Sequence, residues 1–143
     1  MMNDKTISKP QQDTRRTAIN EGYVSEMFCS VQGEGLLVGQ RQIFFRTAGC
    51  TATCSLCDSP ASKERQEHCV IHGTSKQSLP NPIDADAAAD AILKLAEVFA
   101  PVRAVSLTGG EPLEQADFVA AVAREIKKRR LFVYLETSGL EVD

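Results

Sequence analysis

The sequence predicts an α/β fold built on parallel strands, and three observations carry that expectation. Segments of strand character alternate with segments of helical period from residue 42 to residue 136. The cysteine loop starting at Cys50, TGGEP at 108–112 and ETSG at 136–139 each follow directly on a strand-like segment. In parallel α/β architectures ligand chemistry gathers at that edge. With 143 residues, 43% apolar and 24% charged, the chain is long enough for one domain with one core.

The first 22 residues are polar and lack the apolar run of a secretory signal, so 1–22 is expected to be a disordered tail and 23–143 the folded part. Residues 23–30 suit a short strand. VQGEGLLVGQ at 31–40 carries three glycines and reads as a loop or hairpin, and 42–47 has the aromatic and β-branched character of a buried strand. The stretch 60–82 holds three of the six prolines and is expected to be a long irregular connection, with His68 and His72 as exposed loop residues.

Asp84 is a natural N-cap for a helix over 85–99, in which Ala88, Ile92, Leu95 and Phe99 form one apolar stripe. Pro101 ends it, and 103–108 follows as a buried strand. A second helix over 114–129 places Phe118, Val119, Val122 and Ile126 on one face, and 131–136 is the next strand. Because the chain stops just after that strand with no helix to cover it, the domain is expected to be incomplete at its C-terminus.

The net charge of −3 gives no reason to expect a nucleic-acid partner. The basic run Lys127–Arg130 falls at a helix end, where it complements the dipole. No run approaches the ~20 apolar residues that span a bilayer, so a cytoplasmic protein without a membrane partner is expected.

There are five cysteines, an odd number that disfavours a disulfide framework. Three of them follow the spacing Cys50-x3-Cys54-x2-Cys57. Thiolates suit iron–sulfur clusters and zinc, and three in one loop leave a metal position open for a small molecule. A second pattern, Cys54 and Cys57 with Cys69 and His72, offers four ligands for a structural zinc and makes a non-enzymatic zinc module the competing reading. Cys29 and Cys69 otherwise read as ordinary thiols.

The spacing resembles the CxxxCxxC motif of the radical S-adenosylmethionine (SAM) superfamily, and TGGEP resembles that superfamily's GGEP motif. The resemblance implies a [4Fe–4S] cluster on Cys50, Cys54 and Cys57, with SAM chelating the fourth iron. It implies a partial (β/α) barrel of the radical SAM type. SVQGEG at 30–35, Arg46 ahead of Gly49-Cys50, CDS at 57–59 and LETSG at 135–139 further resemble the 7-carboxy-7-deazaguanine synthases. Those enzymes convert 6-carboxy-5,6,7,8-tetrahydropterin to 7-carboxy-7-deazaguanine with loss of ammonia, on the way to 7-deazapurines such as queuosine. A different radical SAM enzyme, such as a glycyl-radical activase, is the other enzymatic reading.

Carried over residue by residue, the resemblance implies SAM contacts at Leu56, Cys57, Asp58, Gly109, Gly110 and Glu111. It implies pterin contacts at Val31, Gln32, Gly33, Arg46 and Thr108, and a Mg²⁺ contact at Ser59. A guanidinium fork at Arg46 suits a carboxylate, an amide at Gln32 suits the edge of a heterocycle, and a hydroxyl at Ser59 suits a hard cation. Leu56 stands where many relatives have an aromatic residue. The implied partners are the small-molecule pterin, an electron donor such as flavodoxin and a second copy of the chain in a homodimer.

Overall fold

The computed structural model describes residues 20–139. The strands are β1 (Glu21–Gly22), β2 (Val24–Val31), β3 (Arg41–Thr47), β4 (His68–His72), β5 (Lys76–Pro80), β6 (Ile83–Asp84), β7 (Ala104–Gly109) and β8 (Phe132–Leu135). The helices are α1 (Ala85–Val98) and α2 (Ala116–Lys128), with short 3-10 turns at Gly35–Leu37, Pro60–Lys63 and Pro112–Gln115. Residues 1–19 of the expected tail lie outside the described residues. Glu21 and Gly22 do not fit a disordered tail, since they pair with Asp84 and Ile83.

One six-stranded sheet runs in the order β5-β4-β2-β3-β7-β8. The expected parallel arrangement is found in β3, β7 and β8, which are joined through α1 and α2. The sheet as a whole is mixed, because β2 pairs antiparallel with β3 and β4 antiparallel with β5. The connection 32–40 is shorter than the dozen or so residues a parallel crossover needs, so β2 must fold back on β3 as a hairpin. No closed barrel forms among the described residues.

The stretch 60–82 is more regular than expected. It forms the 3-10 turn Pro60–Lys63 and the β4–β5 hairpin, and it puts His68 and His72 on a strand. Alternation within β4 buries Cys69 and Ile71 and leaves His68 and His72 outside.

The two faces of the sheet differ. Met27, Ile43, Phe45, Val105 and Leu107 point to the helices and join Ile92, Leu95, Phe118, Val122 and Ile126 in one buried core. The opposite face carries laterally aligned rows. Glu26, Arg46 and Thr108 are in register in one row, and Phe28, Phe44 and Ser106 in the next. Phe28 and Phe44 stack at 5.2 Å. The helices cover the first face, which leaves the second to carry chemistry at the carboxyl ends of β3, β7 and β8.

The Asp84 side chain accepts from Asp86 N at 2.9 Å and from Ala87 N at 3.3 Å, satisfying two of the free amides at the start of α1. Asp84→Ala is expected to lower the free energy of unfolding by about 1 kcal/mol, read as a shifted urea midpoint at unchanged slope.

Candidate functional site

Two strand ends are pinned to each other backbone to backbone, with the Thr47 hydroxyl adding a bond to Thr108 O at 3.1 Å. Gly110 N donates to Thr47 O at 2.9 Å, and Glu111 N donates to Gly49 O at 2.9 Å. Gly109 adopts φ +117°, and a Cβ on Gly110 would collide with Gly49 O and come within 2.8 Å of Ser62 O. Both glycines of TGGEP are therefore required, the first for its conformation and the second for the close approach. Gly49 N and Cys50 N donate in turn to Ser62 O at 2.8 Å and Lys63 O at 3.1 Å. The turn Pro60–Lys63 thus closes the cysteine loop back on its own beginning.

A cavity of about 490 Å³ opens at this edge. Cys50, Cys54 and Cys57 line it, with Leu56, Asp58 and Ser59 from the same loop and Thr108, Gly109, Gly110 and Glu111 from the end of β7. Glu34, from the loop between β2 and β3, Glu136, Thr137 and Ser138, after β8, and Ala52 and Lys63 complete it. All five cysteines are free thiols; Cys54 is exposed and Cys50 and Cys57 are half-buried. Among the described residues no three His, Cys, Asp or Glu groups gather around a single metal position.

The four-ligand zinc alternative is overturned by placement. Cys69 is fully buried in the core on β4, where burial first and Glu26 second push its thiol up to about 12. His72 faces Glu26 at 3.1 Å. Neither joins Cys54 and Cys57. Cys29 is a further thiol outside the site, its pKa raised by burial and partly offset by Arg41.

Glu111 is 3% exposed and fully engaged. Its Oε1 accepts from Leu113 N at 2.9 Å and Thr137 Oγ1 at 2.6 Å, and its Oε2 from Ser138 N at 2.9 Å and Ser138 Oγ at 2.6 Å. Burial pushes this carboxyl's pKa up, but the hydrogen bonds from Ser138, Thr137 and Leu113 outweigh it and hold the pKa below the usual carboxylate range.

Glu136 plays a similar part nearby. It accepts from Gln32 Nε2 at 2.6 Å and from Ser106 Oγ at 2.5 Å, while Gln32 Oε1 accepts from Glu34 N at 3.1 Å. Gln32 is thus buried and oriented, whereas its neighbours Val31 and Gly33 are exposed. Leu56 is 95% exposed. Ser59 Oγ lies 3.0 Å from Asp58 Oδ1 and 3.5 Å from Gly109 O.

Arg46 lies apart from the cysteines. It lines an adjoining cavity of about 450 Å³ with Glu26, His72 and Lys76, and the two cavities share Asp58 and Ser59 as a wall. Arg46 Nε sits 3.2 Å from Glu26 Oε1, close enough for an ion pair but off the line of a hydrogen bond. Its guanidinium carbon lies 5.5 Å from the centre of the Phe28 ring. Sequence reasoning did not single out Glu26, Glu114, Gln115 or Glu136. Three of them adjoin or belong to motifs already noted, but their partners are remote in sequence.

The family model of the radical SAM superfamily matches residues 44–143. The chain belongs to the radical SAM superfamily. Membership implies a [4Fe–4S] cluster and SAM as cofactors, and three free thiols facing one cavity opposite a glycine backbone suit both. Over 122 residues the chain is 38% identical to the 7-carboxy-7-deazaguanine synthase of Geobacter sulfurreducens, covering 82% of this chain and 48% of that one. It is 39% identical to the enzyme of that name from Methanothermobacter thermautotrophicus, covering 81% and 40%. The chain thus spans about half the length of the relatives it matches, or less. The crystal structure of QueE from Escherichia coli superposes with a TM-score of 0.62 at 24% identity, over 83% of this chain and 53% of that one, and shows a shared fold.

The Glu111 carboxylate makes a pH-dependent contribution to stability. In the unfolded chain a glutamate titrates near ~4.3. The folded pKa is lower, so the contribution is fully present above the unfolded value and is lost as pH falls from there through the folded pKa. Glu111→Gln is expected to cost roughly 1–3 kcal/mol at pH 7, with the gap to the wild type shrinking in acid. Urea titrations at pH 7 and pH 3 measure this, and an unchanged gap would contradict it.

Proposed function

We propose that the chain acts in the radical ring contraction of 6-carboxy-5,6,7,8-tetrahydropterin to 7-carboxy-7-deazaguanine, with release of ammonia. One observation carries the reading. The cavity lined by the three cysteines is also lined by Glu34 of SVQGEG, by Thr108 to Glu111 of TGGEP and by Glu136 to Ser138 of ETSG. Segments far apart in sequence converge there, in a chain 38% and 35% identical over its matched part to relatives that bear the synthase name.

In this reading Cys50, Cys54 and Cys57 hold the cluster, which when bound supplies the electron that cleaves SAM. Leu56, Cys57 and Asp58 flank SAM on the loop side. On the opposite wall the Gly109–Gly110 backbone faces the methionine end. The acceptor positions of Glu111 are already filled by Leu113, Thr137 and Ser138, so its part is to hold the ETSG turn against those glycines.

Val31, Gln32, Gly33 and Thr108 meet the pterin, and Glu136 fixes which way the Gln32 amide faces. Arg46 takes the substrate carboxylate in the adjoining cavity, and Ser59, on the wall between the two cavities, offers its hydroxyl to Mg²⁺. The reading takes a one-electron donor such as flavodoxin and a second copy of the chain as partners, in a cytoplasmic setting. No helix among the described residues is long and apolar enough to cross a membrane.

Anaerobic reconstitution with ferrous iron and sulfide, followed by SAM, dithionite and the carboxypterin, tests the proposal by mass spectrometry of the products. The carboxydeazaguanine is expected from the wild type, and both visible absorbance and product are expected to be lost in Cys50→Ala. Arg46→Gln removes a charged hydrogen-bonding group and is expected to raise KM roughly ten- to hundredfold, with a smaller change in kcat. A chain that assembles its cluster and cleaves SAM yet returns the pterin unchanged would reject the substrate assignment.

A further inference from the structure

The three cysteines of the loop are held very unequally. Around Cys50 every residue is tied. Gln115 Nε2 donates to Ala48 O at 3.0 Å and to Tyr23 O at 3.0 Å, and Gln115 Oε1 accepts from Tyr23 N at 2.6 Å. Glu111 N donates to Gly49 O, and Gly49 N and Cys50 N donate to the Pro60–Lys63 turn. Glu114 Oε1 accepts from Thr51 N at 2.6 Å and from Thr51 Oγ1 at 2.7 Å. Those two bonds are short, as expected when the acceptor is a carboxylate. Beyond Thr51 the restraint ends. Ser55 and Leu56 form a local turn, but among the described residues 52–57 make no hydrogen bond to another segment, and Cys54 is exposed.

We propose that Glu114 and Gln115 are positioning residues for the first ligand of the cluster loop, clasping the chain on both sides of Cys50 so that this thiol is set before Cys54 and Cys57 close on iron. The inference rests on superfamily membership and is independent of which substrate the enzyme takes. Gln115 fixes the approach at Ala48, and Glu114 fixes the departure at Thr51. The side chain of Glu114 suits its place because two donors of one residue converge on it, and a carboxylate only accepts. The free span 52–57 can then adapt its two thiols to the cluster.

Thiol chemistry on the metal-free chain tests this without reference to turnover. Timed alkylation with iodoacetamide, mapped by peptide mass, should modify Cys54 faster than Cys50 in the wild type. Glu114→Ala should raise the Cys50 rate roughly tenfold, towards that of Cys54, while leaving Cys54 unchanged. The same variant should slow the rise of cluster absorbance during anaerobic reconstitution with ferrous iron and sulfide. Glu114→Gln keeps an acceptor oxygen and should restore most of both properties. Thr51→Val, which removes only the hydroxyl donor, should shift both in the same direction by a smaller factor, and it serves if the alanine variant does not fold. An unaltered Cys50 rate in folded Glu114→Ala, or an equal rise at all three cysteines, would overturn the proposal.

Discussion

The site depends on the close approach of two backbones. The ends of β3 and β7 approach so tightly that no side chain fits between them at Gly110, and the amides of Gly110 and Glu111 bond directly to Thr47 and Gly49. A gap of even one methyl group there would separate the cysteine loop from the glycine wall facing it. The helices matter to function through this contact. Ile92, Phe118 and Val122 press on Ile43, Phe45, Val105 and Leu107, and so hold the two strands whose ends must meet.

Two carboxylates, Glu111 buried and Glu136 half-buried, extend that contact to the rest of the edge. Glu111 draws in Thr137 and Ser138, and Glu136 draws in Gln32 and Ser106. Each is an acceptor surrounded by donors, which makes its burial tolerable and its position well defined. The loop after β2, the turn after β7 and the turn after β8 are thereby locked into a single wall. The division into two adjoining cavities follows from the same sheet. Arg46 alternates with Phe45 along β3, so it faces away from the helices, and the cysteine loop crosses beside it with Asp58 and Ser59 between.

Much of this was legible in the sequence. The Asp84 cap and the stripe along α1 are local signals, and both are found as expected. The three cysteines of the loop are close neighbours in sequence, and the spacing that singled them out places all three on one cavity. The β4–β5 hairpin was missed because its strands are five residues each, sit among prolines and bury little beyond Cys69 and Ile71. The antiparallel β2–β3 pairing follows from loop length, a cue weaker than the alternation of strands and helices. The roles of Glu136 and Glu114 were not legible, because Gln32 and Glu136 are 104 positions apart and Thr51 and Glu114 are 63 apart. Nothing in local composition links residues over such distances.

The placement of Cys69 also matters for how the protein handles metal. With its thiol pushed to about 12 and shut inside the hydrophobic core, this sulfur stays protonated at any physiological pH. Burial also keeps it out of reach of metal and of the thiols of the loop. The fold sorts chemically identical side chains into accessible and inaccessible ones by burying one of them.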